Sequence, residues 1–128
     1  MTPAPVRVLD TSALLALRGD ERGADRVEQL LSAAQKGRAR LLVSFMTRME
    51  MVYLIRRDEG EEAVRSATLL LDSLPVEWVS CDAEILDVAA SIKASGGLSV
   101  ADSWIAATAR VRGATLVHRD PEYDALSD

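Results

Sequence analysis

Short apolar runs alternate with amphipathic segments along the chain. Four runs have the length and side-chain type of buried strands, at residues 6–9, 41–43, 76–79 and 114–117. Between and after them, apolar residues at helical spacing predict helices over 12–17, 25–35, 45–57, 61–74, 82–94 and 99–112. This alternation predicts an α/β fold with a central parallel sheet of four to five strands and helices on both faces.

Length and composition favour a single domain spanning residues 1–128, because 128 residues with 48% hydrophobic content suffice for one compact core. The single Cys81 and single His118 exclude an internal disulfide and leave too few ligands for a Cys and His zinc site. No apolar run approaches the roughly 20 residues needed to span a bilayer, and the first residues lack the pattern of a secretory signal. We therefore expect a cytoplasmic protein with no membrane segment.

Two aspartates follow predicted strands. Asp10 comes directly after the first strand, and Asp120 comes shortly after the fourth. Ligands of open α/β sheets bind beyond the carboxyl ends of the strands, so we expect these two carboxylates to meet at one edge of the sheet.

Two further carboxylates lie on predicted helices. Glu50 is on the same stripe as Met46, Met49 and Tyr53, because positions three and four apart share a helix face. Asp102 is in the first turn of the last long helix, on its packed side. Charges beside a core are costly unless they are paired, hydrogen-bonded or bound to a metal, so both positions call for an explanation.

The four carboxylates together predict a divalent-metal site. Ligands that are all oxygen select hard cations such as Mg²⁺ or Mn²⁺ over Zn²⁺. Such ions generate hydroxide and stabilise the oxygens of a phosphodiester during an in-line displacement. The net charge of −5 does not select a partner, because clustered carboxylates contribute to it and bound cations would neutralise them.

Helix capping is an alternative explanation for each carboxylate taken alone. Asp10 could cap the first helix, and an Asp before a Pro is a common helix opening. Capping-box spacing also occurs at Thr47 with Glu50 and at Ser99 with Asp102. The Asp-Pro opening occurs at Asp120. Capping does not explain why two carboxylates follow strands at one edge, or why a Glu lies within a helix on its apolar stripe.

Four segments resemble the PIN domain, specifically the VapC toxins. They are Val8-Leu9-Asp10-Thr11-Ser12, Met49-Glu50, the segment from Leu98 to Ala109, and the segment Leu116-Val117-His118-Arg119-Asp120. The resemblance implies a single three-layer α/β/α PIN-like domain. It also implies an endoribonuclease toxin that depends on Mg²⁺ or Mn²⁺, cleaves RNA phosphodiester bonds, forms a homodimer and is neutralised by a VapB-type antitoxin.

The resemblance also implies roles for individual residues. The catalytic and metal-binding quartet of the family corresponds to Asp10, Glu50, Asp102 and Asp120. Thr11 or Ser12 corresponds to the supporting hydroxyl residue beside the first Asp, which helps to place a metal ligand or water.

The end of the chain departs from the family pattern. His118 stands where members often have a hydroxyl residue, and we expect a packed or solvated His there rather than a catalytic one. Asp124 is a candidate outer ligand, although a solvated terminal turn is the simpler interpretation. Members of the family often continue into another strand after the position of Asp128, so we expect a short sheet edge.

Other helix residues each have a functional and a structural interpretation. The arginines could contact phosphate, the leucines could form part of a partner groove or dimer face, and Trp104 and Ile105 could stack on bases, but the structural interpretation is the simpler one in each case. We expect Arg48, Arg56 and Arg57 to be solvated, because Arg on a helix flank usually is. The core is the first expectation for the apolar residues Leu69, Leu70, Leu71, Leu74, Trp104 and Ile105.

Two other functions remain as alternatives. A receiver-like phospho-accepting signalling domain would need an acidic pair after the first strand and a Lys after a late one, but Asp10 precedes Thr11 and Lys93 lies within a predicted helix. A non-catalytic acidic binding module would use the same carboxylates only to dock a basic partner.

Overall fold

The predicted order of strands and helices is present in the computed structural model, which describes residues 3–118. The strands are β1 (Val6–Leu9), β2 (Arg40–Ser44), β3 (Glu77–Val79) and β4 (Thr115–Val117). The helices are α1 (Thr11–Arg18), α2 (Ala24–Gln35), α3 (Phe45–Glu59), α4 (Glu61–Ser73), α5 (Ala83–Ala94) and α6 (Val100–Val111). Over residues 3–118, no helix combines the length and apolar character needed to cross a membrane.

The strands form one parallel sheet in the order β3-β2-β1-β4. Val8 at the centre of β1 pairs with Leu42 on one side and with Leu116 on the other. The chain builds the sheet outwards from β1 through β2 to β3 and then returns to place β4 on the opposite side of β1. The strand order therefore reverses between β1 and β4, and such a switch point leaves a crevice at the carboxyl ends of the two strands.

Alternate strand residues supply two separate cores, because successive side chains of a strand point to opposite faces. Val8 and Leu42 pack against α5 and α6. Leu9, Leu41 and Val43 pack on the other face with residues of the helices α1 to α4. These two layers of helices around the sheet confirm the predicted three-layer α/β/α architecture.

Side-chain oxygens cap four helices. The backbone N–H groups of the first helical turns donate to the side chains of Asp10, Ser44, Asp82 and Ser99. The capping-box interpretation of Thr47 and Glu50 is wrong, because α3 begins at Phe45 and Ser44 is its cap. Ser99 does cap α6, through the backbone N–H of Asp102.

Helix α3 lies against both α1 and α6, near the carboxyl end of β2 from which it starts. Its buried face consists of Thr47, Met51 and Ile55. The prediction that Met49 and Tyr53 mark a core-facing stripe is wrong, since 50% and 47% of these residues are exposed to solvent. The apolar character of α3 is spread around the helix, so its sequence alone did not identify the buried side.

The leucine-rich part of α4 is only partly a core element. Leu71 is buried, as expected, but Leu69 is 72% exposed and Leu70 is 37% exposed. Helical geometry accounts for the difference, because consecutive residues point about 100° apart around the axis. In α6, Ile105 is fully buried and Trp104 is partly buried against the same core.

Replacing Ile105 by Ala should lower the free energy of unfolding by about 2–5 kcal/mol, because the truncation leaves a cavity between α6 and the sheet. Urea unfolding followed by circular dichroism measures the change. Leu69→Ala, at a site that is 72% exposed, is the control and should change the stability by less than about 0.5 kcal/mol. Equal effects of the two substitutions would contradict the assignment of this core.

Candidate active site at the switch point of the sheet

Asp10 is buried at the carboxyl end of β1, with 2% of its surface exposed. Its backbone N–H donates to the carbonyl of Val117 at 3.1 Å, which ties it to the end of β4. Its carboxylate oxygen Oδ1 accepts hydrogen bonds from the Ser12 hydroxyl at 2.8 Å and from the Ala13 backbone N–H at 3.0 Å. Asp10 is therefore a helix cap and also a buried carboxylate at the switch point.

The surroundings of Asp10 make its ionisation costly. The pKa of this carboxyl is raised to about 6, mainly by burial and to a smaller extent by the negative charge of Asp102. The hydrogen bonds from Ser12 and Ala13 and the charge of His118 act in the opposite direction. Desolvation is the largest of these effects, and additional positive charge nearby would favour the ionised form of Asp10.

Glu50 is half-buried on α3 and contacts α1. Its carboxylate oxygen Oε1 accepts a hydrogen bond of 2.6 Å from the Thr11 hydroxyl. Burial raises the pKa of Glu50, the hydrogen bond from Thr11 lowers it, and the charge of Asp102 raises it. Glu50 is thus fixed in position by the residue that follows Asp10 in the chain.

Asp102 is partly buried in the first turn of α6, where its backbone N–H donates to Ser99 Oγ at 3.1 Å. Its carboxylate raises the pKa of both Asp10 and Glu50. Asp102 therefore lies within electrostatic range of both Asp10 and Glu50, although the three carboxylates come from the end of β1, from α3 and from α6. This part of the predicted juxtaposition is present in the structure.

His118 directly follows β4 and is partly buried. Its charge lowers the pKa of Asp10, so it lies on the side of the sheet edge that holds the carboxylates. The expectation of a His with only a packing or solvent-facing role therefore missed its electrostatic contact with the site. The sequence signal for this contact was the position of His118 directly after the fourth predicted strand, where ligand-binding residues of an open α/β sheet lie.

The donors of this site suit a hard divalent cation. They are carboxylate oxygens, and a bound cation would offset the desolvation and mutual repulsion that raise the pKa values of Asp10 and Glu50. Within residues 3–118, however, no three acidic, His or Cys side chains are arranged closely enough to form a ready set of metal ligands. The predicted residues Asp120 and Asp124 lie outside the described part of the chain. The four-residue ligand set remains a prediction.

Thr47 is the site residue that sequence analysis missed. Its hydroxyl lies 3.2 Å from Thr11 Oγ1, and its surface is fully buried. Its position one turn before Glu50 in the sequence indicates only a capping pattern. Its actual partner is 36 residues away in the chain, on α1.

The pKa of Asp10 predicts a specific pH dependence of stability in the absence of divalent cations. Since its folded pKa of about 6 lies above the unfolded value of about 3.9, the folded state keeps a proton that the unfolded state loses between these values. The contribution of Asp10 to stability is full below about pH 4, falls as the pH rises to about 6, and is then constant.

Asp10→Asn removes this titration and keeps an oxygen that can cap α1. The measured quantity is the free energy of unfolding of the unmodified protein minus that of Asp10→Asn. This difference should fall by up to about 3 kcal/mol between pH 4 and pH 7, because the pKa shift is about two units and each unit corresponds to about 1.4 kcal/mol. Urea unfolding of both proteins in EDTA measures this difference. A difference that does not change with pH would contradict the raised pKa.

The sequence model of the PIN domain matches residues 7–128. No curated protein matches the chain in sequence. Among solved structures, VapBC2 from Rickettsia felis, bound to a DNA fragment from its promoter, has a TM-score of 0.76 at 17% identity and the match covers 94% of this chain and 92% of that one.

Two other structures match over similar lengths. Mycobacterium tuberculosis VapC20, described as a toxin that cleaves the sarcin-ricin loop, has a TM-score of 0.74 at 22% identity, over 94% of this chain and 95% of that one. VapBC-1 from nontypeable Haemophilus influenzae has a TM-score of 0.69 at 25% identity, over 94% of this chain and 92% of that one. These structures share the α/β/α fold, and the family model covers nearly all of the sequence. The chain therefore belongs to the PIN domain family.

Proposed function

We propose that this protein is a toxin ribonuclease that uses divalent metal ions, Mg²⁺ or Mn²⁺, to cleave RNA phosphodiester bonds. The observation that carries the proposal is the convergence of Asp10, Glu50 and Asp102 at the switch point of a PIN domain. The likeness in fold to VapC and VapBC structures supports the assignment to a toxin of this type.

Each carboxylate has a role in this proposal. Asp10, Glu50 and Asp102 would hold the cation, with Asp120 as a fourth ligand. A bound cation would supply Lewis acidity and would activate water as the nucleophile at neutral pH. Thr11 and Ser12 fix the orientations of Glu50 and Asp10 through their hydroxyl groups, so both carboxylates are oriented before the cation binds. Asp124 is proposed only as an outer ligand.

The proposed partners are a VapB-type antitoxin and a second copy of this chain, and the proposed location is the cytoplasm. The solved VapBC structures of similar fold support the antitoxin. Large apolar side chains that remain exposed on α3, α4 and α6 provide surface for protein contacts, namely Met49, Tyr53, Leu69 and Val100.

The receiver-like alternative is not favoured. It requires a Lys beside the carboxylates, but Lys93 on α5 donates its Nζ hydrogen bond to the carbonyl of Leu98 at 3.1 Å. The receiver-like domain also requires a second acidic residue next to Asp10. The next residue is Thr11, whose hydroxyl donates to Glu50. The remaining alternative, an acidic binding module without catalysis, is an outcome of the next experiment.

Asp102→Asn should abolish Mn²⁺-dependent RNA cleavage and weaken Mn²⁺-induced thermal stabilisation. The fold should be retained, because Ser99 rather than Asp102 caps α6, and loss of a charge in the first helical turn costs only about 0.5 kcal/mol. Cleavage of labelled ribosomal RNA is measured with Mn²⁺ and with EDTA. Melting temperatures of the same samples report metal binding.

Asp87→Asn is the matched control, since it makes the same chemical change at an exposed position of α5. It should cleave RNA at the rate of the unmodified protein. Cleavage by Asp102→Asn at that same rate would refute the assignment of the active site. Stabilisation by Mn²⁺ without cleavage of any RNA by the unmodified protein would favour the binding module.

A further inference from the structure

Three side chains form a hydrogen-bonded chain across the contact between α3 and α1. Thr47 Oγ1 on α3 lies 3.2 Å from Thr11 Oγ1 on α1. Thr11 Oγ1 lies 2.6 Å from Oε1 of Glu50, which is back on α3. Thr47 and Glu50 are one helical turn apart, so both reach the same hydroxyl from the same side.

The chemistry of the hydroxyl group fixes the direction of this chain. A hydroxyl has one proton to donate and two lone pairs that accept, whereas an ionised carboxylate only accepts. The short contact with Glu50 therefore takes the proton of Thr11. The two threonine hydroxyl oxygens lie 3.2 Å apart. Since the one proton of Thr11 is directed at Glu50, the hydrogen bond between the threonines uses the proton of Thr47.

Thr47 differs in this respect from other buried hydroxyl residues of the fold. Ser103 and Thr108 on α6 are equally buried, but each donates to a carbonyl four residues earlier in its own helix. This bond within the helix is the common arrangement for Ser and Thr. The Thr47 hydroxyl instead contacts a side chain on another helix, at the edge of the acidic site.

We infer that Thr47 is a positioning residue of the proposed metal site. Its hydroxyl occupies one lone pair of Thr11 and thereby keeps the single Thr11 proton directed at Glu50. The hydrogen bond from Thr11 then orients the Glu50 carboxylate before any cation binds, so that orientation does not depend on the rotamer preferences of Glu50 alone. This inference rests on the proposed function, because it gives Thr47 a role at the same site.

A second contact separates this role from general packing of the two helices. Arg18 at the end of α1 forms a two-bonded ion pair with Glu59 at the end of α3, at 2.7 and 3.1 Å. The pair is partly exposed, and such pairs contribute little stability. Arg18→Gln therefore removes a contact between the same two helices, away from the hydroxyl groups, at little cost in stability.

Thr47→Val tests the inference, since it removes the hydroxyl and nearly preserves the side-chain shape. We expect about tenfold weaker Mn²⁺ binding, because loss of groups that orient metal ligands costs about 10–100-fold. Isothermal titration with Mn²⁺ measures the affinity without RNA. RNA cleavage at limiting Mn²⁺ should fall by a similar factor and recover at saturating Mn²⁺.

Three variants serve as controls. Thr47→Ser restores the hydroxyl and should bind Mn²⁺ within about twofold of the unmodified protein, a recovery that only the hydroxyl explains. Thr108→Val removes an equally buried hydroxyl that bonds within α6, and it should leave the Mn²⁺ affinity unchanged. Arg18→Gln should also leave this affinity unchanged.

A readout without metal keeps the inference testable if Thr47→Val folds poorly. In the unmodified protein, the hydroxyl protons of Thr11 and Thr47 should exchange slowly and show a mutual nuclear Overhauser effect. Rapid exchange of both protons would overturn the inference.

Unchanged Mn²⁺ affinity in folded Thr47→Val would also overturn the inference, while RNA cleavage by the unmodified protein would leave the proposed function intact. If the unmodified protein neither binds Mn²⁺ nor cleaves RNA, the proposed function fails instead. The hydroxyl protons still report whether the hydrogen-bonded chain exists in that case. The two failures are thus distinguishable.

Discussion

The cost of burying a carboxylate at the junction of β1 and β4 is the constraint on which the rest of the site depends. Asp10 has almost no contact with solvent, and its ionised form is supported by one hydroxyl, one backbone N–H and the charge of His118. The negative charge of Asp102 makes ionisation of Asp10 harder, and burial together with the same charge raises the pKa of Glu50. A fold selected for stability alone would place an apolar or hydroxyl side chain here.

The architecture brings these groups together by placing α3 between two layers of the protein. Met46 near the start of α3 packs with the core beneath α5 and α6, whereas Met51 packs with the core on the opposite face. The helix thus closes the carboxyl edge of the sheet and carries Glu50 towards both α1 and α6. The site is built on packed helices and a strand end, which hold side chains more accurately than loops do.

The order of the elements and the layers were predictable because each strand and most helices have their own local pattern of apolar residues. The places of Asp10 at the end of β1 and of Asp102 in the first turn of α6 were predictable because each follows from the bounds of one element. The buried side of α3 was not, since Met49 and Tyr53 are apolar but exposed. Thr47 was beyond reach for a different reason: its role depends on a contact between distant segments, and no local pattern encodes which hydroxyl faces it.

The outer strand β3 has only three residues, and Glu77 at its start forms a two-bonded ion pair with Arg40 on the neighbouring strand. An edge strand offers unpaired backbone groups to which another chain can add a strand. So short an edge, with charged side chains at one end, presents few such groups. The β3 edge is thereby protected from addition of another strand, whereas large apolar side chains are exposed on the helices α3, α4, α5 and α6.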